Sequence, residues 1–178
     1  MAVAHGAPAP AAATRTLIAV FAFPVAEFLL RYGADCGFRA NLLEPDRGRA
    51  AAARAQFPGV DITTSPDGAD PGADVVVTDH HRPELGPVLR DLLAGKARWI
   101  GVMGNPRHPA PHIPALRGLG VAEDGIGLVH RPVGLNIGSR LPAEIAVVTL
   151  AGLIAGRNGR PGGFAFSGSG NSHARPRE

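Results

Sequence analysis

Several things are scarce in this chain, and each scarcity excludes something. There is one cysteine, Cys36, so an internal disulfide cannot form, and no CxxC pair offers a zinc site. No uninterrupted apolar run approaches the ~18 residues that a membrane-spanning helix needs. Lysine occurs once, at Lys96, and the formal net charge is only +3. The high isoelectric point therefore partly reflects arginines that never titrate. No compact basic run lies beside aromatic residues, which leaves nucleic-acid binding without its usual footprint. Met1–Thr14 has no basic start followed by a long apolar stretch, so no signal peptide is expected and the cytoplasm is the expected location.

What is plentiful is glycine (24) and proline (17), against an apolar fraction of 45%. The glycines have no three-residue period, which excludes a collagen-like helix. A chain this apolar buries a core of useful size, and 178 residues suit one domain. The ends read as flexible segments: Met1–Thr14 is Ala/Pro-rich, and Gly159–Glu178 is a Gly/Ser/Pro/Arg tail with Phe164 and Phe166 as its only apolar anchors. The domain is expected over residues 15–158.

Between the ends, short apolar runs alternate with helical patterns. Leu17–Phe21, Ala40–Leu43, Asp74–Thr78, Trp99–Val102 and Gly127–Val129 read as strands. Pro24 suits a first helical turn, and Val25, Phe28, Leu29 and Tyr32 repeat at helical spacing until Gly33 or Gly37. Arg47–Gln56 is an alanine-rich helix, Val88–Leu93 lies on another that Gly95 ends, and Ser65–Gly72 is a loop. Prolines at 106, 109, 111 and 114 argue against a regular helix over Gly104–Pro114. A last helix starts at Pro142 and is apolar on nearly every side, which predicts burial against the sheet. Strand and helix alternating in this way predict an α/β fold with a mostly parallel sheet covered on both faces.

In such folds ligands lie beyond the carboxyl ends of the strands. The first strand end carries Phe21-Ala22-Phe23 where a dinucleotide site wants glycines, which disfavours NAD(P). Glu44 ends the second strand, where a carboxylate could hold a ribose diol or simply be solvated before Pro45. Thr78-Asp79-His80-His81 could handle protons or hold a metal, but no second ligand cluster accompanies it, and no metal site is assigned. His108 and His112 have i, i+4 spacing that the prolines deprive of its helix. Gly101-Val102-Met103-Gly104-Asn105 with Arg107 reads either as an anion-binding turn or as ordinary turn chemistry, and so does the loop from His130 to Arg140. No Ser/His/Asp or Cys/His spacing suggests nucleophilic catalysis, so a catalyst is less expected than a binding protein.

Taken together, DVVVT with its Asp/His pair, WIGVMGN and HRPVGLNIGSRLPAEIA (His130–Ala146) resemble the C-terminal domain of the XdhC/CoxI family. The resemblance runs from about Leu17 to Arg157. It implies a three-layer Rossmann-like fold and a role in maturing molybdenum hydroxylases of the xanthine or carbon monoxide dehydrogenase type. It implies molybdenum cofactor (molybdopterin) as the bound group, near Thr78, Asp79, His80, Gly101, Gly104, Arg107, Gly134, Asn136 and Gly138, with Glu44 at the second strand end. Expected partners are a molybdenum hydroxylase subunit and a cysteine desulfurase, with pairing of two chains, and neither nucleic acid nor membrane. The family's separate N-terminal domain has no counterpart in the resemblance, which leaves two expectations open: a partner chain that supplies it, or a diverged remnant of the family. Five places depart from the family pattern: Phe21 and Phe23 in the first turn, the order Thr78-Asp79-His80-His81, Gly104-Asn105-Pro106-Arg107 for a Gly-Ser-Arg-Arg turn, Asn136 for an aspartate, and Leu141 for a helix-capping threonine.

Overall fold

A computed structural model describes residues 14–105 and 107–162. Phe164, Phe166 and most of both expected flexible ends lie outside the described residues. The elements run β1 (Thr16–Val20), α1 (Pro24–Asp35), β2 (Arg39–Leu43), α2 (Arg47–Gln56), β3 (Asp61–Thr63), β4 (Asp74–Val77), α3 (Leu85–Ala94), β5 (Trp99–Val102), α4 (His112–Gly118), α5 (Glu123–Ile126), β6 (Val129–His130) and α6 (Pro142–Arg157). The six described strands form one sheet in the order β3-β2-β1-β4-β5-β6, and every pairing is parallel.

The central strands read as unbroken apolar runs because both of their faces are covered. Leu17 and Ala19 of β1 and Val76 of β4 pack with Val25, Leu29 and Leu30 of α1 and with Leu150 and Leu153 of α6. Ile18, Val20, Val75 and Val77 point the other way, onto Leu85, Leu89 and Leu92 of α3, Leu116 of α4 and Ile126 of α5. Two layers of helix thus enclose one layer of sheet. Each fully buried leucine here is worth about 2–5 kcal/mol against truncation to alanine.

Local chemistry sets the element ends. Asp46 caps α2 by accepting from the Arg49 backbone N–H at 2.8 Å. Helix α1 continues through Gly33, where a Cβ would lie 2.6 Å from Cδ2 of Leu17, so glycine lets helix and strand approach. It ends instead at Gly37, whose φ of +82° completes a Schellman turn: Phe38 N–H donates to the Gly33 carbonyl at 2.9 Å and Gly37 N–H to the Ala34 carbonyl at 2.9 Å.

Three local expectations change. Helix α4 begins inside the proline-rich stretch, at His112, because Pro114 falls in the first turn, where its missing N–H leaves no bond unmade. The last strand sits two residues later than expected, at Val129–His130, after the short helix α5. Helix α6 is not buried all round. Ala146, Val148, Thr149, Leu150 and Leu153 face inward, while Val147 remains 51% exposed.

Candidate functional site

Strand order reverses on either side of β1, between β2 and β4, and the carboxyl ends there form the crevice in which such sheets bind ligands. On the β2 side the crevice is occupied by the chain itself. Glu44, the residue after β2, is fully buried. Its Oε2 accepts from Ala22 N–H in the first turn at 2.9 Å. Its Oε1 accepts from Asp46 N–H at 3.2 Å, Arg49 Nε at 3.1 Å and Arg82 Nη2 at 3.2 Å. Arg49 also donates to Glu84 at 2.6 Å. Burial works to raise the Glu84 carboxyl, but its backbone bonding and Arg49 outweigh that and hold it below the ordinary range. The carboxylate read from sequence as either a ribose ligand or a solvated side chain is instead buried, with both oxygens engaged by protein donors.

Phe21 explains why no glycine stands in the first turn. Its φ is +73°, a left-handed backbone that a bulky residue adopts only when its surroundings compel it. Its ring is fully buried under α3 with Leu85 and Val77, and the Arg82 guanidinium lies 5.2 Å above it. Phe21 N–H donates to the Leu43 carbonyl at 2.8 Å, and the Thr78 hydroxyl bridges the Val20 and Phe21 carbonyls at 2.9 Å each. Phe23 points outward. Thr78, expected near ligand, therefore spends its hydroxyl on holding this turn.

The ends of β4, β5 and β6 are different. Asp79 closes a local turn by accepting from His81 N–H at 3.0 Å. The His80 ring lies against that of His81, centroids 4.1 Å apart and planes tilted by 39°, and burial, with His81 and Arg131 nearby, pushes its pKa below the ordinary histidine value of 6.5. Gly101 is packed tightly: a Cβ there would strike the Trp99 ring and come within 2.5 Å of Val133. Trp99 in turn stacks on His130 at 5.4 Å. A Cβ on Gly104 would lie 2.6 Å from Nη2 of Arg131, so the guanidinium sits directly on its backbone.

Arg131 is the residue that sequence reasoning passed over within its loop. It donates to the Asn105 carbonyl at 3.1 Å and the His108 carbonyl at 3.2 Å, tying the loop after β5 to the end of β6. Arg107 stays exposed, its N–H held by Asn105 Oδ1 at 2.9 Å. Gly134 lies against α6, where a Cβ would come within 3.0 Å of Val148, and both Gly134 and Gly138 take positive φ. Asn136 is exposed between them. Glu144 accepts from Arg140 N–H at 2.9 Å and Leu141 N–H at 3.2 Å, steadying the start of α6 as expected.

Two regions result. Glu44 and Thr78 hold the β1 end of the crevice shut. On the other side His80 and Gly104 lie by Arg131, Arg107 stands exposed in the loop that Arg131 ties down, and Gly134, Asn136 and Gly138 follow β6 in the loop toward α6. Among the described residues no three His, Cys, Asp or Glu side chains converge as a metal site, and no helix is long and apolar enough to cross a membrane.

The parallel six-stranded sheet and its helix layers define a Rossmann-type domain. The chain belongs to the XdhC family: the family described as "XdhC Rossmann domain" matches residues 17–153. It is 37% identical over 81 residues to the uncharacterized protein YqeB of Escherichia coli (strain K12), a match spanning 46% of this chain and 15% of YqeB. Its fold resembles the crystal structure of a xanthine dehydrogenase from Bacillus halodurans, with a TM-score of 0.66 and 22% identity, over 83% of this chain and 44% of that one. The chain thus spans less than half the length of either relative.

Proposed function

We propose that this protein is an accessory factor for a molybdenum hydroxylase, binding the molybdenum cofactor over the ends of β4, β5 and β6 and assisting its insertion into the enzyme. The match to the XdhC Rossmann domain over residues 17–153 carries the reading. The name of the Bacillus halodurans relative, a xanthine dehydrogenase, points to the same enzyme class. The donor chemistry is compatible. His80, Arg107 and Arg131 follow these strand ends, and the Asp79 carboxylate among them is engaged by His81 N–H. An anionic, phosphate-bearing ligand suits that balance. The residues to hold it are Asp79, His80, Gly104, Arg107, Gly134, Asn136 and Gly138, with Thr78 and Gly101 shaping the floor.

NAD(P) is disfavoured by the same geometry. Glu44 already takes the first-turn N–H that would face a pyrophosphate, and it is too fully paired to hold a ribose. The test is anaerobic titration of the purified protein with molybdopterin, followed by fluorescence of the pterin. Saturable binding is expected, weakened in R107Q; absence of binding sinks the reading.

A second reading, an interaction module that recognises the enzyme without carrying cofactor, is favoured by one observation. Leu135, Ile137, Leu141 and Val147 are large, apolar and exposed within a short stretch of chain. Capture of a purified molybdenum hydroxylase subunit by cofactor-free protein, abolished by I137S, would favour it. The cysteine desulfurase and a paired assembly belong to this proposal as further contacts, tested by the same capture and by sedimentation.

A further inference from the structure

A cleft of about 340 Å³ runs along the outer side of β6, between α4 and the α5–β6 segment. His112, Arg131, Arg117 and Glu123 provide its polar lining. At one end Arg117 and Glu123 satisfy each other through two bonds of 2.6 and 2.9 Å. The other end is not satisfied. His112 is 4% exposed, and its Nδ1 has no hydrogen-bond partner among the described residues. Nε of Arg131 is likewise buried and unpartnered. The two Nη atoms of Arg131 reach only carbonyls, those of Asn105 and His108, and among the described residues no carboxylate lies within ion-pair distance of it.

A half-buried guanidinium with its charge uncompensated, beside a buried imidazole lacking a partner, is costly unless something supplies the missing acceptor. Water could bond either nitrogen but not balance the charge. A metal cation is opposed by the uncompensated charge of Arg131. A small oxyanion meets both needs: its oxygens accept from Arg131 Nε–H and from the His112 imidazole, and its charge favours the protonated ring that burial and Arg131 alone disfavour. We propose that His112 and Arg131 form a seat for a phosphate group at this end of the cleft. The natural ligand would be the phosphate end of the proposed cofactor or free phosphate; the first identity rests on the function proposed above, whereas the seat does not.

Neither residue stood out as a ligand from sequence. His112 was separated from any helix by the surrounding prolines, and Arg131 lies 19 positions further along the chain. Only the start of α4 and the return of β6 put them on one wall.

The probe is inorganic phosphate, titrated into the full chain while the ring nitrogen resonances of His112 are followed by ¹⁵N NMR. The expected result is a saturable shift toward the protonated imidazole. R131Q should weaken the apparent affinity about tenfold, the scale of one lost charge-assisted bond, and H112Q should do likewise in the Arg131 Nε signal. R131K, which keeps charge without the planar fork, should fall between, and R90Q, on the exposed side of α3, should match the parent. Absence of a saturable His112 shift in the parent protein overturns the seat, as does an equal response in R131Q. A parallel molybdopterin titration separates the two ideas. Phosphate binding at His112 without molybdopterin binding leaves the seat and removes the proposed function. Molybdopterin binding with His112 and Arg131 undisturbed leaves the proposed function and removes the cofactor as the ligand of the seat, which the phosphate titration alone then decides.

Discussion

Replacing Glu44 by glutamine would leave Arg49 and Arg82 without the buried carboxylate that both address. Breaking such a pair costs about 3–5 kcal/mol when it is fully buried, and the partly exposed arginines place E44Q toward about 3 kcal/mol. Urea unfolding of E44Q measures this, and a loss below ~1 kcal/mol would show that the amide satisfies the turn as well as the charge does. Histidine gives a prediction of opposite experimental form. Burial, then neighbouring positive charge, pushes His80 and His112 below 6.5. The unfolded chain therefore takes up protons first as pH falls. Stability is fully present above about pH 6.5 and declines below it until the folded-state histidines also protonate. Urea unfolding between about pH 7.5 and 5 should show that decline, and H80Q or H112Q should flatten it. Position was readable at this scale, but partnership was not. Glu44 was visible as a strand-end carboxylate, whereas nothing in the sequence announced that Ala22, Arg49 and Arg82 would converge on it.

Elements were legible in proportion to how locally they are determined. Asp74–Val77 stood out because both faces of β4 are buried, and Arg47–Gln56 because its composition favours helix throughout. Asp61–Thr63 escaped notice because β3 is an edge strand of three residues with two of them exposed. Helix α4 was hidden by prolines that turn out to lie before it or within its first turn. Two substitutions test the element-level reasoning. G33A drives a methyl against Leu17 where α1 crosses β1, and overpacking of that kind should cost about 1–3 kcal/mol by thermal unfolding. L141T supplies the side-chain oxygen that the start of α6 lacks, since Glu144 alone now serves that turn. It should add about 0.5–2 kcal/mol, the usual range for a cap. Glu144 itself is held below the ordinary carboxyl range by the Arg140 and Leu141 N–H groups, so its contribution should vanish as acid protonates it.

At the scale of the whole molecule, alternating strands and helices were enough to foresee a parallel sheet between two helical layers. They could not show that the crevice divides into a self-occupied part at β1–β2 and a cation-lined part at β4–β6. That division depends on contacts between residues far apart in sequence, such as Gly104 with Arg131. Glu44 also has a dynamic consequence. A single side chain ties the first turn, the start of α2 and the loop before α3 into one knot. Those three segments cannot loosen one at a time without stranding a buried charge, so their amides should exchange with solvent as one cooperative unit, near the slowest rates of the protein. In E44Q the same amides should exchange at separate, faster rates. The segment after β5, fastened to Arg131 through two carbonyls, should open independently in both.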